Sequence, residues 1–337
     1  MKSIILAGGR GTRLFPLSRK ELPKQFVRLG NRSLFQRTLE RHSDFPVYVS
    51  LKEDYTSLAK EQAEEVGIGA NLIKEPSPKN TFPAIVWSLY VMRIEYGLKD
   101  DDIVAVVPAD QYIEPVETYR EDLSLARECA KGGYVVLFGV KPNRPDTGFG
   151  YIKLGKKLDK AFRVEEFTEK PSYEKALEYV KSGKYLWNSG IFVFSFKTFE
   201  EECKLYQPFA YKLLNTKSRD EALYVFNKLQ SEPIDKAIME KSKRTVCIPF
   251  RANWSDVGTF KGLYEVLCDD SRCAVLSGDV LRVDAEDVLV FSEDKPVIVV
   301  GLNHLAVINA KDYLLVVSLE HSQKVKDILK LLEESDE

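Results

Sequence analysis

The residues best suited to chemistry are grouped near the amino terminus. The apolar run Lys2-Ser3-Ile4-Ile5-Leu6-Ala7 leads into Gly8-Gly9-Arg10-Gly11-Thr12-Arg13-Leu14, and Pro23-Lys24-Gln25-Phe26 follows shortly after. Three glycines just past a buried strand let backbone amides approach a ligand closely. From Arg10 to Arg37 there are eight Lys or Arg residues and one acid, Glu21. Those amides therefore sit in a positive local field, and phosphate is the natural guest. Neither common phosphate loop fits the letters. A dinucleotide fingerprint needs glycine where Leu14 stands, and a Walker A loop needs Lys and then Ser or Thr after Gly11, where Thr12-Arg13 stand instead. The structural alternative is a strand-to-helix turn whose basic residues are simply solvated.

Two isolated acids come later. Asp110 ends Pro108-Ala109-Asp110, after the strand-like run Ile103–Val107, and Asp256 lies in Trp254-Ser255-Asp256-Val257-Gly258. A strand-end Asp often caps a helix. It also suits Mg²⁺, which takes one or two carboxylates and shares its other sites with phosphate and water. Spacing alone does not bring the two together. Three more segments set polar groups among glycines and aromatics: Thr147-Gly148-Phe149-Gly150-Tyr151-Ile152, Phe167-Thr168-Glu169-Lys170-Pro171 and Trp187-Asn188-Ser189-Gly190. A carboxylate suits hydroxyl donors, an ammonium suits phosphate, and an amide both donates and accepts. As plain structure the same segments are a tight turn, an exposed charged pair and a strand start with Trp187 in the core. Glu75-Pro76-Ser77-Pro78-Lys79-Asn80-Thr81-Phe82-Pro83-Ala84 reads locally as a stiff turn with a helix N-cap.

The segment LAGGRGTRLFPLSRKELPKQF resembles the signature of sugar-1-phosphate nucleotidyltransferases, specifically the mannose-1-phosphate guanylyltransferases (GDP-mannose pyrophosphorylases), and the likeness spans essentially the whole chain. Glu75–Ala84 resembles the family's E-P-x-x-R-N-T-A-P-A segment, with Lys79 and Phe82 as departures. Asp110 matches P-[AS]-D-H with Gln111 in place of His, Glu169-Lys170 match F-x-E-K-P, Asn188 matches W-N-[SA]-G and Asp256 matches W-x-D-[VI]-G-[ST]. The resemblance implies transfer of a guanylyl group from GTP to mannose 1-phosphate, giving GDP-mannose and diphosphate without a covalent enzyme intermediate. It implies a nucleotide site from Leu6, Ala7, Gly8, Gly9, Gly11, Thr12, Arg13, Lys24, Glu75, Asn80, Thr81, Pro108 and Asp110. The sugar-phosphate site would comprise Gly148, Tyr151, Glu169, Lys170 and Asn188. Asp110 and Asp256 would hold Mg²⁺ or Mn²⁺, and Arg13, Lys24, Asp110, Lys170 and Asp256 would carry the chemistry. Alternatives are the same reaction with glucose 1-phosphate and a pyrimidine nucleotide, a non-catalytic nucleotide-sugar-binding homologue, and a dehydrogenase, the last disfavoured by the missing fingerprint.

The elements must bring these motifs to one edge. Ser33–Glu40 reads as a Ser-capped helix, and Pro46–Ser50, Ile103–Val107 and Tyr134–Phe138 as short buried strands. The alternation predicts an α/β fold: a doubly wound, Rossmann-like sheet with helices on both faces, binding ligands at the strands' carboxyl ends. Tyr206–Lys243 reads as surface helices without chemistry. From Val280 onward, β-branched runs begin at 280, 288, 297, 305 and 314, and the 17-residue period linking 280, 297 and 314 suggests stacked β-solenoid coils. The resemblance implies a left-handed β-helix there, with a terminal helix from about Glu320 to Leu332. The expected domains are 1–262, nucleotidyltransferase, and 263–337, β-helix and homodimer interface; the cupin-type isomerase fused to some relatives has no expected counterpart.

With 337 residues and 44% hydrophobic content the chain can bury a sizeable core, and a formal net charge of -2 argues against nucleic acid as a partner. Five cysteines without a C-x-x-C pair read as reduced thiols, and three scattered histidines start neither a metal cluster nor a Ser-His-Asp set. No signal core and no apolar run of about 18 residues is present, so the expectation is a cytoplasmic protein without a membrane partner.

Overall fold

Short β-branched runs form the strands that position the motifs. The structure, a computed structural model, describes residues 1–9, 11–268 and 274–335. The described residues group into two units, neither a single stretch of chain. One holds Met1–Gly8, Leu39–Ala109 and Ile113–Trp254; the other holds Gly9–Thr38, Asp110–Tyr112 and the residues from Ser255 onward.

The first unit is built on nine strands: β1 (Lys2–Leu6), β2 (Val47–Leu51), β3 (Ala70–Lys74), β4 (Ile103–Pro108), β5 (Val135–Val140), β6 (Tyr151–Leu158), β7 (Ala161–Thr168), β8 (Tyr185–Ser195) and β9 (Thr245–Pro249). They form one sheet in the order β3-β2-β1-β4-β8-β5-β9-β7-β6. Four neighbouring pairs are parallel, as the alternation predicts. β8 departs from it: it runs antiparallel to both β4 and β5. An antiparallel strand begins where its neighbours end, and this brings Asn188, near the start of β8, opposite Gly139 near the end of β5.

Alternation along β5 shows the two covered faces. Val135 and Leu137 join a core with the helix Thr81–Glu95 and with Leu213, Leu214, Val225 and Phe226, while Phe138 points the other way to Phe250, which meets Tyr119 of the helix Val116–Lys131. The helix Thr81–Glu95 is buried from Phe82 to Met92. A helix apolar all round needs cover on every side, and the helices Pro208–Asn215 and Arg219–Lys228 provide it. Each buries one apolar face, Ala210, Leu213 and Leu214 on the first and Ala222, Val225 and Phe226 on the second, and exposes the other, as expected of surface helices. Beneath β1, Ser3 Oγ, His42 Nδ1 and Nε2, and Tyr119 OH form a buried chain of hydrogen bonds at 2.9 and 2.8 Å. Burial pushes the His42 pKa down to about 3.

The second unit contains β10 (Ala274–Ser277), β11 (Val280–Val283), β12 (Val288–Ser292), β13 (Val297–Val300), β14 (Leu305–Ala310) and β15 (Tyr313–Ser318). Val280 lies opposite Val297 and Val288 opposite Leu305, both in parallel register, so the seventeen-residue period is the coil length of a β-helix. The run at 314 does not continue that stack. It falls in β15, which folds back antiparallel on β14 because only Lys311 (φ 43) and Asp312 separate the paired Ala310 and Tyr313. The 3₁₀ turn Leu319–Lys324 and the helix Val325–Ser335 follow.

This unit's core includes residues distant in sequence. Leu14, Leu17, Val27, Leu29 and Leu34 pack with Val257, Phe260 and Leu263 and with Leu289, Phe291, Ala306 and Ile308 of the coils. Phe15 meets Tyr313 edge-on, 4.9 Å between ring centres, and Arg19 pairs with Glu293 at 3.0 Å. Cys129, Cys203 and Cys247 are free thiols, whereas Cys268 is disulfide-bonded, against the expectation of reduced thiols throughout; Arg10 and Cys273 lie outside the described residues.

Candidate active site

In the first unit the carboxyl ends of β1 to β4 are level. Leu6 lies opposite Ser50 and Pro108, and the ladder runs one step further through Ala7 N–H to Ser50 O (2.8 Å), Glu75 N–H to Leu51 O (2.9 Å) and Ala109 N–H to Leu6 O (3.0 Å). Leu6, Ala7, Gly8, Glu75 and Pro108 therefore share one edge. A side chain on Gly8 would begin 3.0 Å from Glu75 Oε1, so the glycine leaves that carboxyl room. Burial raises the Glu75 pKa, against the hydrogen bond from Ser50 Oγ (3.0 Å) and the charge of Lys52.

Asn80 and Thr81 carry out the structural half of their expected work. Asn80 (φ 73) caps the helix by accepting from Thr81 N–H at 2.8 Å, and Thr81 Oγ1 accepts from Ile234 N–H at 3.0 Å. Lys79, a departure from the family pattern, donates to the carbonyls of Phe226, Asn227 and Leu229 at 2.8–3.2 Å and so caps the helix Arg219–Lys228. Phe82, the other departure, is buried.

Further along the same sheet, register gathers the sugar motifs. Tyr151 pairs with Thr168 and Trp187, and Asn188 with Gly139, which places Glu169-Lys170, Gly150 and Asn188 at neighbouring strand ends. Asn188 is followed by a bulge at Ser189-Gly190, where Gly190 (φ 76) takes a conformation that other residues resist. The bulge orients the Asn188 amide: Oδ1 accepts from Gly190 N–H (3.3 Å) and Nδ2 donates to Asp235 Oδ1 (2.7 Å). Glu169 Oε2 lies 2.8 Å from where a side chain on Gly150 would begin, Lys170 Nζ is 3.3 Å from Glu169 Oε1, and Glu169 N–H donates to Glu240 Oε1 at 3.0 Å. Tyr151 is fully buried, and its hydroxyl accepts from Asp146 N–H and donates to Asp146 O, so its side chain holds the Gly148 turn. Gly148 is exposed, with its N–H on Asp146 Oδ1.

The cationic and acidic motifs meet within the second unit. Lys24 is buried, and its ammonium donates to Asp110 Oδ2 at 2.8 Å and to the main-chain oxygen of Asp256. Gly11 is required for this. Its φ is 67, and a side chain there would begin 2.2 Å from Lys24 Cβ. Ser18 Oγ donates to Gly11 O and Gln25 Nε2 to Gly9 O, which pin the loop from both sides. Arg13 is exposed beside Thr12; a side chain on Gly258 would begin 3.2 Å from its Nη1 and 2.5 Å from Asp256 Oδ2, so the guanidinium lies in the neighbourhood of that carboxylate. Among the described residues no group of three or more His, Cys, Asp or Glu is placed to hold a metal ion. An oxygen set of two Asp residues suits an ion that completes its shell with substrate phosphates and water, as Mg²⁺ does.

A parallel-dominated sheet, a basic glycine loop and two strand-end acids bridged by a lysine define a nucleotide-transferring enzyme. Residues 2–272 match the nucleotidyl transferase family, and residues 278–332 match the MannoseP isomerase/GMP-like beta-helix domain. The chain belongs to the nucleotidyl transferase family. It is 36% identical to the alginate biosynthesis protein AlgA of Pseudomonas fluorescens, over 98% of this chain and 72% of that protein. It is 35% identical to the mannose-1-phosphate guanylyltransferase of Escherichia coli, over 98% of this chain and 74% of that one. Among solved structures, the mannose-1-phosphate geranyltransferase from Thermus thermophilus superposes with a TM-score of 0.88 at 33% identity, covering 98% of this chain and 99% of that one.

Asp235 is the site residue that motif reading missed. It sits in the π-helical turn Asp235–Met239, inside a stretch read as chemically silent, and its signal is spatial: the contact with Asn188.

Proposed function

We propose that this enzyme transfers the guanylyl group of GTP to mannose 1-phosphate, releasing diphosphate and GDP-mannose. A phosphate oxygen of the sugar phosphate attacks the α-phosphorus in line; the new P–O bond forms as the bond from that phosphorus to the oxygen bridging to the β-phosphorus breaks. The substrate is its own nucleophile. The observation that carries this reading is the Lys24 ammonium held by the Asp110 carboxylate and by the Asp256 backbone, a fixed positive charge that ties the two aspartate segments together. Lys24 and Arg13 would face the charge that develops on the transferring and leaving phosphates, and Lys170 the phosphate of the sugar. Asp110 and Asp256 would hold Mg²⁺, which when bound supplies further neutralisation of phosphate charge. Glu75 would accept hydrogen bonds from the base, and Glu169 and Asn188 would read hexose hydroxyls. We assign residues 1–262 to the transferase domain and 263–337 to the β-helix domain, we assign the protein to the cytoplasm, and we place the homodimer interface on the β-helix domain. Its support is an apolar face: Leu281 and Val283 lie opposite Ile298 and Val300, all more than half exposed.

Diphosphate release across a grid of nucleoside triphosphates and hexose 1-phosphates tests the reading. GTP with mannose 1-phosphate should exceed every other pair by at least about tenfold in kcat/KM, about 1.4 kcal/mol of discrimination. A preference for a pyrimidine nucleotide would overturn it.

A further inference from the structure

Three acids converge behind Asn188. Asp235 is buried, accepts from Asn188 Nδ2 at 2.7 Å, and is faced by Glu169 and Lys170 from the end of β7 and by Glu240 from the end of its own turn. Glu169 is itself largely covered, its side chain 7% exposed, and its backbone N–H is held by Glu240. Two covered carboxyls this close resist being charged together, and the more deeply buried keeps its proton longer. Desolvation, then the charge of Glu169, raise the Asp235 pKa to about 7. A π-helical turn interrupts regular helix pairing and is often found at functional positions.

Resting on the sugar site proposed above, we infer that Asp235 is a positioning residue for the hexose: it fixes the Asn188 amide and, paired with Glu169, sets how strongly the site accepts an anionic sugar phosphate. The logic is geometric first. With Nδ2 committed to Asp235 and Oδ1 to Gly190, the Asn188 amide has one orientation, leaving one N–H and one lone pair to read vicinal hydroxyls. The charge follows from it. While Asp235 is neutral, only Glu169 and Glu240 oppose the sugar phosphate beside Lys170; once Asp235 ionises, a further negative charge is added to the same enclosure and the dianion binds less well.

Steady-state kinetics of D235N and D235A from pH 6.5 to 8.5 test this, with thermal unfolding beside them. In the parent the KM for mannose 1-phosphate should climb several-fold as pH rises over that interval, while the KM for GTP does not follow. D235N, which keeps an oxygen for Asn188 and cannot ionise, should flatten that climb. It should also raise the unfolding temperature more at pH 8 than at pH 5, because a carboxyl whose folded pKa lies above its unfolded value destabilises the fold once pH exceeds the unfolded one. D235A, which loses the acceptor, should raise the KM for mannose 1-phosphate by at least about tenfold with kcat within about threefold, the pattern of lost substrate binding; D235N carries the test where D235A fails to fold. A D235N profile that still climbs like the parent's, or an equal rise in both KM values, would show that Asp235 serves structure alone. A parent inactive with every pair in the grid would overturn this inference together with the reading beneath it.

Discussion

The contrast between Lys24 and Arg13 decides what their removal should do. Both were read from one basic segment, yet Lys24 is buried against Gly11 and bonded to Asp110, while Arg13 is exposed. R13A should therefore lower kcat by about 10²–10³-fold, the usual cost of losing one charge-stabilising group, and leave the melting temperature in place. K24M should lower kcat comparably and the melting temperature by about 2–4 °C, since it leaves Asp110 without its cation; calorimetry beside the kinetics separates the two. D110N and D256N should each lose most activity and require more Mg²⁺ for the remainder, and the double variant should be little worse than either, because groups acting as a unit are not additive. Independent, multiplicative losses would show that the two aspartates do not share an ion. Glu169, Lys170 and Asn188 were visible because they fall in segments that resemble the family motifs F-x-E-K-P and W-N-[SA]-G. Asp235 falls in no such segment and lies 47 positions from the amide it holds, so only the folded chain reveals it.

Strands whose period matched their environment were readable within a residue or two: Ile103–Val107 was expected and Ile103–Pro108 is found. Their pairing was less readable, since nothing in β8 itself distinguishes a parallel partner from an antiparallel one, and it is the reversal of β8 that brings Asn188 to the working edge. The seventeen-residue period linking 280, 297 and 314 likewise gave its first step correctly and its second wrongly, because a tight turn at Lys311 overrode it. One element-level feature gives a pH prediction. His42, between Ser3 and Tyr119, has its pKa pushed by burial, and then by Arg41 and Arg120, from the usual 6.5 to about 3. The fold thus favours neutral imidazole, so this contribution to stability is complete above about pH 6.5 and is lost as pH falls toward about 3. Melting temperatures from pH 7 to 4 should decline less steeply for H42Q than for the parent. Parallel curves would show that the histidine does not link folding to protons.

Motif order along the chain suggests a catalytic domain followed by an assembly domain, and each of the two compact units draws on more than one stretch of the chain. The chain passes from one unit to the other at five points, Gly8-Gly9, Thr38-Leu39, Ala109-Asp110, Tyr112-Ile113 and Trp254-Ser255, and the first, third and fifth fall inside the candidate site motifs. The segment after the glycine loop shares its core with the β-helix coils: Leu14 and Leu17 pack with Phe291 and Ile308, and Phe15 with Tyr313. The glycine-loop segment and the coils that carry the proposed assembly face therefore share one core, which sets what a surface change on the coils should do. Leu281 and Ile298 are neighbours across β11 and β13 and project outward, away from the residues that pack on Leu14. L281E with I298E places like charges on that face without disturbing the shared core, so sedimentation should show a smaller assembly while guanylyl transfer per chain falls by less than about threefold, as expected for surface substitutions away from buried features. F291A, which opens the core under the loop, should instead cost about 3–5 kcal/mol of stability and reduce turnover, even where the assembly survives. If the double Glu variant keeps the parent's subunit count, the apolar face on β11 and β13 is not the interface.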